Sequence, residues 1–146
     1  DFPGMRILQF AFGGDAKNQD LPHNYVRNGV AYTGTHDNET TAGWFASRKE
    51  KDAATGEAKL SREGEFCLKY LDAGGEEIHW DFIRALWASV ADTVIAPMQD
   101  LLGLGNEARM NLPASDSGNW HWQCTEGDFS PEIADRLRDL TEIYGR

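Results

Sequence analysis

Val30-Ala31-Tyr32-Thr33-Gly34-Thr35 (VAYTGT) is a β-branched and aromatic run that passes directly into a dense polar cluster, His36-Asp37-Asn38-Glu39-Thr40-Thr41. A segment that is apolar along its length and polar beyond its end reads as a buried strand of a parallel sheet, where functional side chains gather past the carboxyl ends. Working outward, Met5 to Phe12 (MRILQFAF) is almost continuously apolar and predicts a strand covered on both faces. Thr93 to Pro97 (TVIAP) predicts a third strand, with Pro97 at its end because proline cannot donate to a central ladder. Helical segments separate these runs. Ala42 to Lys51 buries Trp44 and Phe45, and Glu65 to Leu71 follows. Glu76 to Ala91 puts Ile78, Phe82, Ile83, Leu86, Trp87 and Val90 on one stripe. A short helix or turn is expected over Gln99 to Leu104. The last helix is capped by Ser130, with Pro131 in its first turn and Ile133, Leu137, Leu140 and Tyr144 inward. The charged stretch 50–65, with Gly56 and Gly64, reads as a solvated excursion.

Strands alternating with helices give the α/β class with a parallel sheet. The 146 residues fit a single domain, yet a closed (β/α)8 barrel needs about 250. Three strands therefore make a partial sheet with two unpaired edges, which invites self-association. The chain opens on Asp1-Phe2-Pro3-Gly4 and is already core-like by Ile7, which suggests a piece of a longer polypeptide. The formal charge of −10, from 14 Lys+Arg and 24 Asp+Glu, argues against a nucleic-acid partner. No apolar run reaches the roughly 18 residues of a membrane span. Cys67 and Cys124 stand outside any Cys-x-x-Cys pattern and read as free thiols.

The polar strand end is the strongest chemical candidate. A carboxylate beside an imidazole, His36-Asp37, can hydrogen-bond vicinal sugar hydroxyls, whereas Asp37 or Asn38 can equally cap the next helix. His23 and Asn24 (LPHNY) face either the same end of the sheet or a packed loop. Trp120 and Trp122, preceded by Asn119, either stack on sugar rings or plug the core beneath a long loop. His23, His36, His79 and His121 lack metal-ligand spacing, so a metal-dependent hydrolase is disfavoured and no cofactor is expected.

Several long motifs, in order, carry a resemblance. They are Pro3-Gly4-Met5-Arg6-Ile7-Leu8-Gln9-Phe10-Ala11-Phe12, Leu21-Pro22-His23-Asn24-Tyr25, and Tyr32-Thr33-Gly34-Thr35-His36-Asp37-Asn38 with Thr40-Thr41. Further along come Gln99-Asp100, Leu102-Gly103-Leu104-Gly105, Ala108-Arg109-Met110-Asn111, Pro113, Gly118-Asn119-Trp120, Leu140-Thr141-Glu142 and Tyr144-Gly145-Arg146. Together they resemble the C-terminal segment of the amylomaltase-type 4-α-glucanotransferases (disproportionating enzymes), weakest between residues 46 and 75. The resemblance implies the last three strand–helix units of a (β/α)8 barrel, and transfer of α-1,4-glucan segments between maltooligosaccharides by a retaining double displacement. It implies a cytoplasmic protein, or a plastid one if the parent is a plant's.

In that family the aspartate nucleophile and the glutamate acid/base lie upstream of Asp1. The third acidic residue of the site corresponds to Asp37, a transition-state stabiliser. His36 corresponds to its sugar-binding neighbour, Phe10 to a strand-end aromatic, and Asn111 to a loop asparagine facing the cleft. Asn38 and His23 are carried as further substrate-binding candidates. The fragment alone is then expected to be inactive. The competing expectation is a non-catalytic glucan-binding or self-associating module.

Overall fold

The computed structural model describes residues 2–51 and 55–146. In chain order its strands are β1 (Gly4–Ile7), β2 (Gly29–Tyr32), β3 (Lys49–Lys51), β4 (Ala58–Leu60) and β5 (Thr93–Ile95). The helices are α1 (Thr41–Ala46), α2 (Arg62–Leu71), α3 (Ile78–Trp87), α4 (Met98–Leu101) and α5 (Pro131–Tyr144). The fold is mixed α/β. Its sheet is parallel, in the order β1-β2-β5, with β2 in the centre.

Register decides what each face of this sheet meets. Arg6 pairs with Ala31 and Ala31 with Val94, so these share a face; Met5 with Val30, and Ile7 with Tyr32 and Ile95, lie on the other. Ala31 is fully buried, and Val94 packs against the cluster of Phe12, Trp44, Phe82 and Leu86. The opposite face is only partly covered, with Ile7 buried and Val30 and Tyr32 half-buried. Met5 is 56% exposed and Ile95 41%. The expected covering of β1 on both faces is therefore incomplete, since Ile7 is buried on that face while Met5 is not.

The expected strand over Met5–Phe12 ends at Ile7. Leu8–Phe10 form a 3-10 turn instead. The turn swings Leu8, Ala11 and Phe12 together into the core, at 0%, 0% and 2% exposure, and leaves Phe10 outside. A continuous apolar run reads the same for a strand and for such a turn. Phe12 then becomes the centre of an aromatic cluster, 5.7 Å from Trp44, 6.2 Å from Phe66, 6.1 Å from Tyr70 and 5.6 Å from Phe82 between ring centroids.

Helix α1 stops at Ala46, short of the expected Lys51, where the Ser47 hydroxyl turns back to donate to the Trp44 carbonyl at 2.7 Å. The stretch 50–65 is more structured than a solvated excursion: β3 and β4 pair antiparallel, and α2 starts at Arg62 behind a Ser61 cap. Asp52, Ala53 and Ala54 lie outside the described residues.

In α3 the stripe of Ile78, Phe82, Ile83 and Leu86 is buried as its spacing requires, and Trp80 joins it at 6% exposure; Val90 lies past the helix end and is 53% exposed. Helix α5 has the expected cap, Ser130 accepting from the Ile133 amide at 3.4 Å. Its inner face is only half-buried, however, and Tyr144 is exposed. Polar contacts fasten it. Arg136 forks onto Glu77 at 2.7 and 2.9 Å and lies 4.3 Å above the Trp80 ring. Arg146 donates to the Leu86, Trp87, Ser89 and Ala91 carbonyls, filling the C-terminal end of α3.

Candidate functional site

All strands of the parallel sheet end on the same side, and three segments leave from there: the Leu8–Phe10 turn, the loop from Thr33 to Thr40, and α4 with the chain beyond it. The Thr33–Thr40 loop carries the sequence candidates. Asp37 is half-exposed at its tip, with 51% of its side chain accessible. It neither lies under packed hydrocarbon nor caps a helix. The cap of α1 is Thr40, whose hydroxyl accepts from the Gly43 amide at 3.1 Å. Asn38 is spent on the loop itself: its amide oxygen accepts from the Thr35 amide at 2.9 Å and from the Thr35 hydroxyl at 2.7 Å.

The chain after α4 folds back onto this tip. Asn111 donates its side-chain amide to Asp37 Oδ1 at 2.6 Å and its backbone N–H to the His36 carbonyl at 3.0 Å. Arg109 donates Nη2 to the Asp37 carbonyl at 2.7 Å and Nε to the Asn111 carbonyl at 2.8 Å. His36 Nε2 stands 3.3 Å from Asp37 Oδ1, and the His36 ring lies 5.1 Å from the Trp120 ring. Trp120 is 57% exposed, so it belongs to the rim of the site and does not plug the core; Trp122 is half-buried.

Beside Asp37 opens a cleft of about 470 Å³, lined by Phe10, Asp37, Asn38, Trp44 and Arg109 among others. Phe10, 55% exposed, offers it an apolar ring. A wider groove of about 880 Å³ adjoins, sharing Arg48 and Glu63 with the first and running past Gly13 and Gly14 to Phe66. The structure thus puts Phe10, Asp37 and Asn38 on one cleft, with His36 and Asn111 against the Asp37 carboxylate. His23 stands apart, in a hollow with Tyr70 and Arg84, its ring nitrogens 2.9 Å from the Tyr70 hydroxyl and 2.9 Å from the Ala16 carbonyl.

Sequence reasoning gave no role to the groups that hold the site. Asp100 is 2% exposed; burial pushes its carboxyl pKa up, against hydrogen bonds from Thr33 and Thr41 that favour the charge. Gln9, also buried, donates to the Glu39 carbonyl at 2.9 Å. Gly43 lets the Asn106–Ala108 turn sit against α1, since a Cβ there would lie 2.1 Å from Asn106 Oδ1. Asn106 in turn donates to Glu39 at 2.7 Å. These contacts join residues far apart in the chain, and no local spacing announces them. Among the described residues no three His, Cys, Asp or Glu side chains converge as a metal set, and no helix is long and apolar enough to cross a membrane.

A half-exposed carboxylate fixed by an amide, next to an imidazole and an aromatic face, is suited to accept hydrogen bonds from neighbouring hydroxyls of a sugar ring. Comparison with known proteins gives the family. A sequence model described as 4-alpha-glucanotransferase matches residues 1–128. The 4-alpha-glucanotransferase of Clostridium butyricum is 49% identical over 99% of this chain and 28% of its own length. The chloroplastic/amyloplastic 4-alpha-glucanotransferase of Arabidopsis thaliana is 47% identical over 99% of this chain and 24% of its own. An amylomaltase from Streptococcus agalactiae, solved in complex with acarbose, superposes with a TM-score of 0.83 and 36% identity over 99% of this chain and 28% of that one. The chain spans about a quarter of the length of these relatives, and it belongs to the 4-alpha-glucanotransferase family.

Proposed function

We propose that this chain is the C-terminal part of a 4-α-glucanotransferase, its three parallel strands being the last three strand–helix units of a (β/α)8 barrel. The partly covered sheet face bearing Met5, Val30 and Ile95 is then the inner wall of that barrel. One observation carries the reading: Phe10, Asp37 and Asn38 line one cleft at the carboxyl ends of parallel strands, with His36 and Asn111 set against the Asp37 carboxylate, where such barrels do their chemistry. The parent transfers α-1,4-glucan segments between maltooligosaccharides, in the cytoplasm or, in a plant, in a plastid. In the acarbose-bound relative the ligand is an oligosaccharide mimic, which fits the same substrate class.

Retaining transfer needs two carboxyl groups about 5–5.5 Å apart across the scissile bond. Neither the nucleophile nor the acid/base belongs to residues 1–146 in this reading. This chain supplies the saccharide grip. Asp37 accepts from ring hydroxyls, His36 stands beside it, and Phe10 offers an apolar surface. Hydrogen bonds from the ring hydroxyls to Asp37 tighten as the ring flattens toward the oxocarbenium-like transition state, so they lower the barrier more than they improve ground-state binding. In the full-length protein, Asp37→Ala is expected to cut maltotriose disproportionation by orders of magnitude while leaving the fold intact. The purified 146-residue chain is expected to show none. Near-parental turnover by the variant, or clear turnover by the chain alone, overturns the proposal.

A second reading, a non-catalytic self-associating module, is favoured by the exposure of Met5 and Ile95 on the two edge strands. Sedimentation of the chain as a clean monomer at micromolar concentration removes it.

A further inference from the structure

We infer that Asp100 is a positioning residue for Asp37, holding both ends of the loop that carries it. The inference rests on the reading of Asp37 given above and deepens it. Asp100 sits in α4, and its carboxylate is almost wholly buried. Oδ2 accepts from the Thr33 hydroxyl and from the Thr41 hydroxyl at 2.8 Å, and Oδ1 accepts from the Thr41 backbone N–H at 2.7 Å. Thr33 is the residue just past β2, and Thr41 is the first residue of α1. Between them lie His36 and Asp37. A single carboxylate therefore pins the point where the loop leaves the sheet and the point where it enters the helix.

The same segment controls the other side of the site. Next to Asp100, Gln99 is buried and donates to the Ala108 carbonyl at 3.1 Å, which anchors the start of the stretch holding Arg109 and Asn111. The two loops that grip Asp37 from opposite sides thus share one foundation, α4. A hydrogen-bonded carboxylate is suited to that task, because its two oxygens accept several donors at fixed angles. Precise placement of the groups that meet the transition state governs rate more than ground-state affinity.

The test compares Asp100→Asn, Thr33→Val and Asp37→Ala in the full-length enzyme. Kinetics on maltotriose and thermal unfolding are measured for each, at a temperature where circular dichroism shows the variants folded. Folded Asp100→Asn is expected to lose about tenfold or more in kcat with KM changed less than about twofold. Thr33→Val, which is nearly isosteric and removes one of the bonds, moves the same way by less. Adding Asp100→Asn to Asp37→Ala brings no further loss, because no carboxylate remains to be placed. Parental kcat in a folded Asp100→Asn enzyme overturns the inference, as does a loss that follows the unfolded fraction alone. Should Asp100→Asn fail to fold, Thr33→Val decides by the same criterion. An active parent, an inactive Asp37→Ala and an unaffected Asp100→Asn sink this inference alone. An active Asp37→Ala sinks the reading beneath it and this inference with it.

Discussion

The side-chain amide of Asn111 stands 2.6 Å from Oδ1 of Asp37, although 74 positions separate the two residues. The contact sets one oxygen of the carboxylate and so fixes what the other can meet. Asn111→Ala in the full-length enzyme is expected to lower kcat on maltotriose by about tenfold, the loss of one well-placed charge-assisted bond. Asn111→Asp is expected to cost more, because it sets two carboxylates against each other at hydrogen-bond range. Equal activity of the two variants contradicts the first role assigned to Asn111.

Phe12 touches four other rings and is 2% exposed. Its truncation leaves a cavity that Trp44, Phe66, Tyr70 and Phe82 cannot all collapse into. Phe12→Ala is expected to cost about 3–5 kcal/mol in urea unfolding, and Phe12→Leu less than half of that. A loss below about 1 kcal/mol for the alanine variant shows that the cluster repacks.

Arg146 makes its four hydrogen bonds to carbonyls at and beyond the end of α3, at 2.6–3.3 Å. The Trp87, Ser89 and Ala91 carbonyls lie at or past the last helical turn, and a guanidinium also suits the negative end of the helix dipole. Arg146→Ala is expected to destabilise by about 1–3 kcal/mol, and Arg146→Lys to recover only part of it, since lysine has no fork. Hydrogen exchange at the Ser89–Ala91 amides checks the locality of the effect and should quicken in both variants.

The Glu77–Arg136 pair gives a pH signature. The side-chain hydrogen bond from Arg136 holds the Glu77 pKa below the ordinary glutamate value. A depressed folded-state pKa contributes stability that is present above the unfolded value and is lost as pH falls through the folded one. Because the pair is exposed, the contribution is a few tenths of a kcal/mol. The parent should therefore exceed Glu77→Gln in melting temperature at about pH 6 and lose that margin by about pH 3. An unchanged margin across that range contradicts the pairing.

The α/β class could be read from local pattern, whereas at His36-Asp37-Asn38 the pattern fitted a helix cap as well as a sugar site, and only the family resemblance gave those residues a role. Val30 to Asn38 holds the apolar run and its polar end within nine consecutive residues, although β2 stops at Tyr32 and Thr33, Gly34 and Thr35 already belong to the loop. Leu8–Phe10 could not be separated from β1, because a 3-10 turn that buries Leu8, Ala11 and Phe12 uses the same apolar letters as a strand. Asp100 and Arg109 were silent for a different reason. Asp100 meets Thr33 across 67 positions and Arg109 meets Asp37 across 72. Such partners are set by tertiary packing, and only the closing of the loops brings them into range. His23 shows the converse: a polar residue in a local motif, which the fold uses to join Tyr70 to the Ala16 carbonyl.

Gly43 sets the spacing of the whole arrangement. The helix after the Asp37 loop presents bare backbone at the spot where Asn106 arrives, and the segment bearing Arg109 and Asn111 leans on that spot. Even a methyl group there would crowd the Asn106 amide and disturb its bond to Glu39, at the root of the loop that carries Asp37.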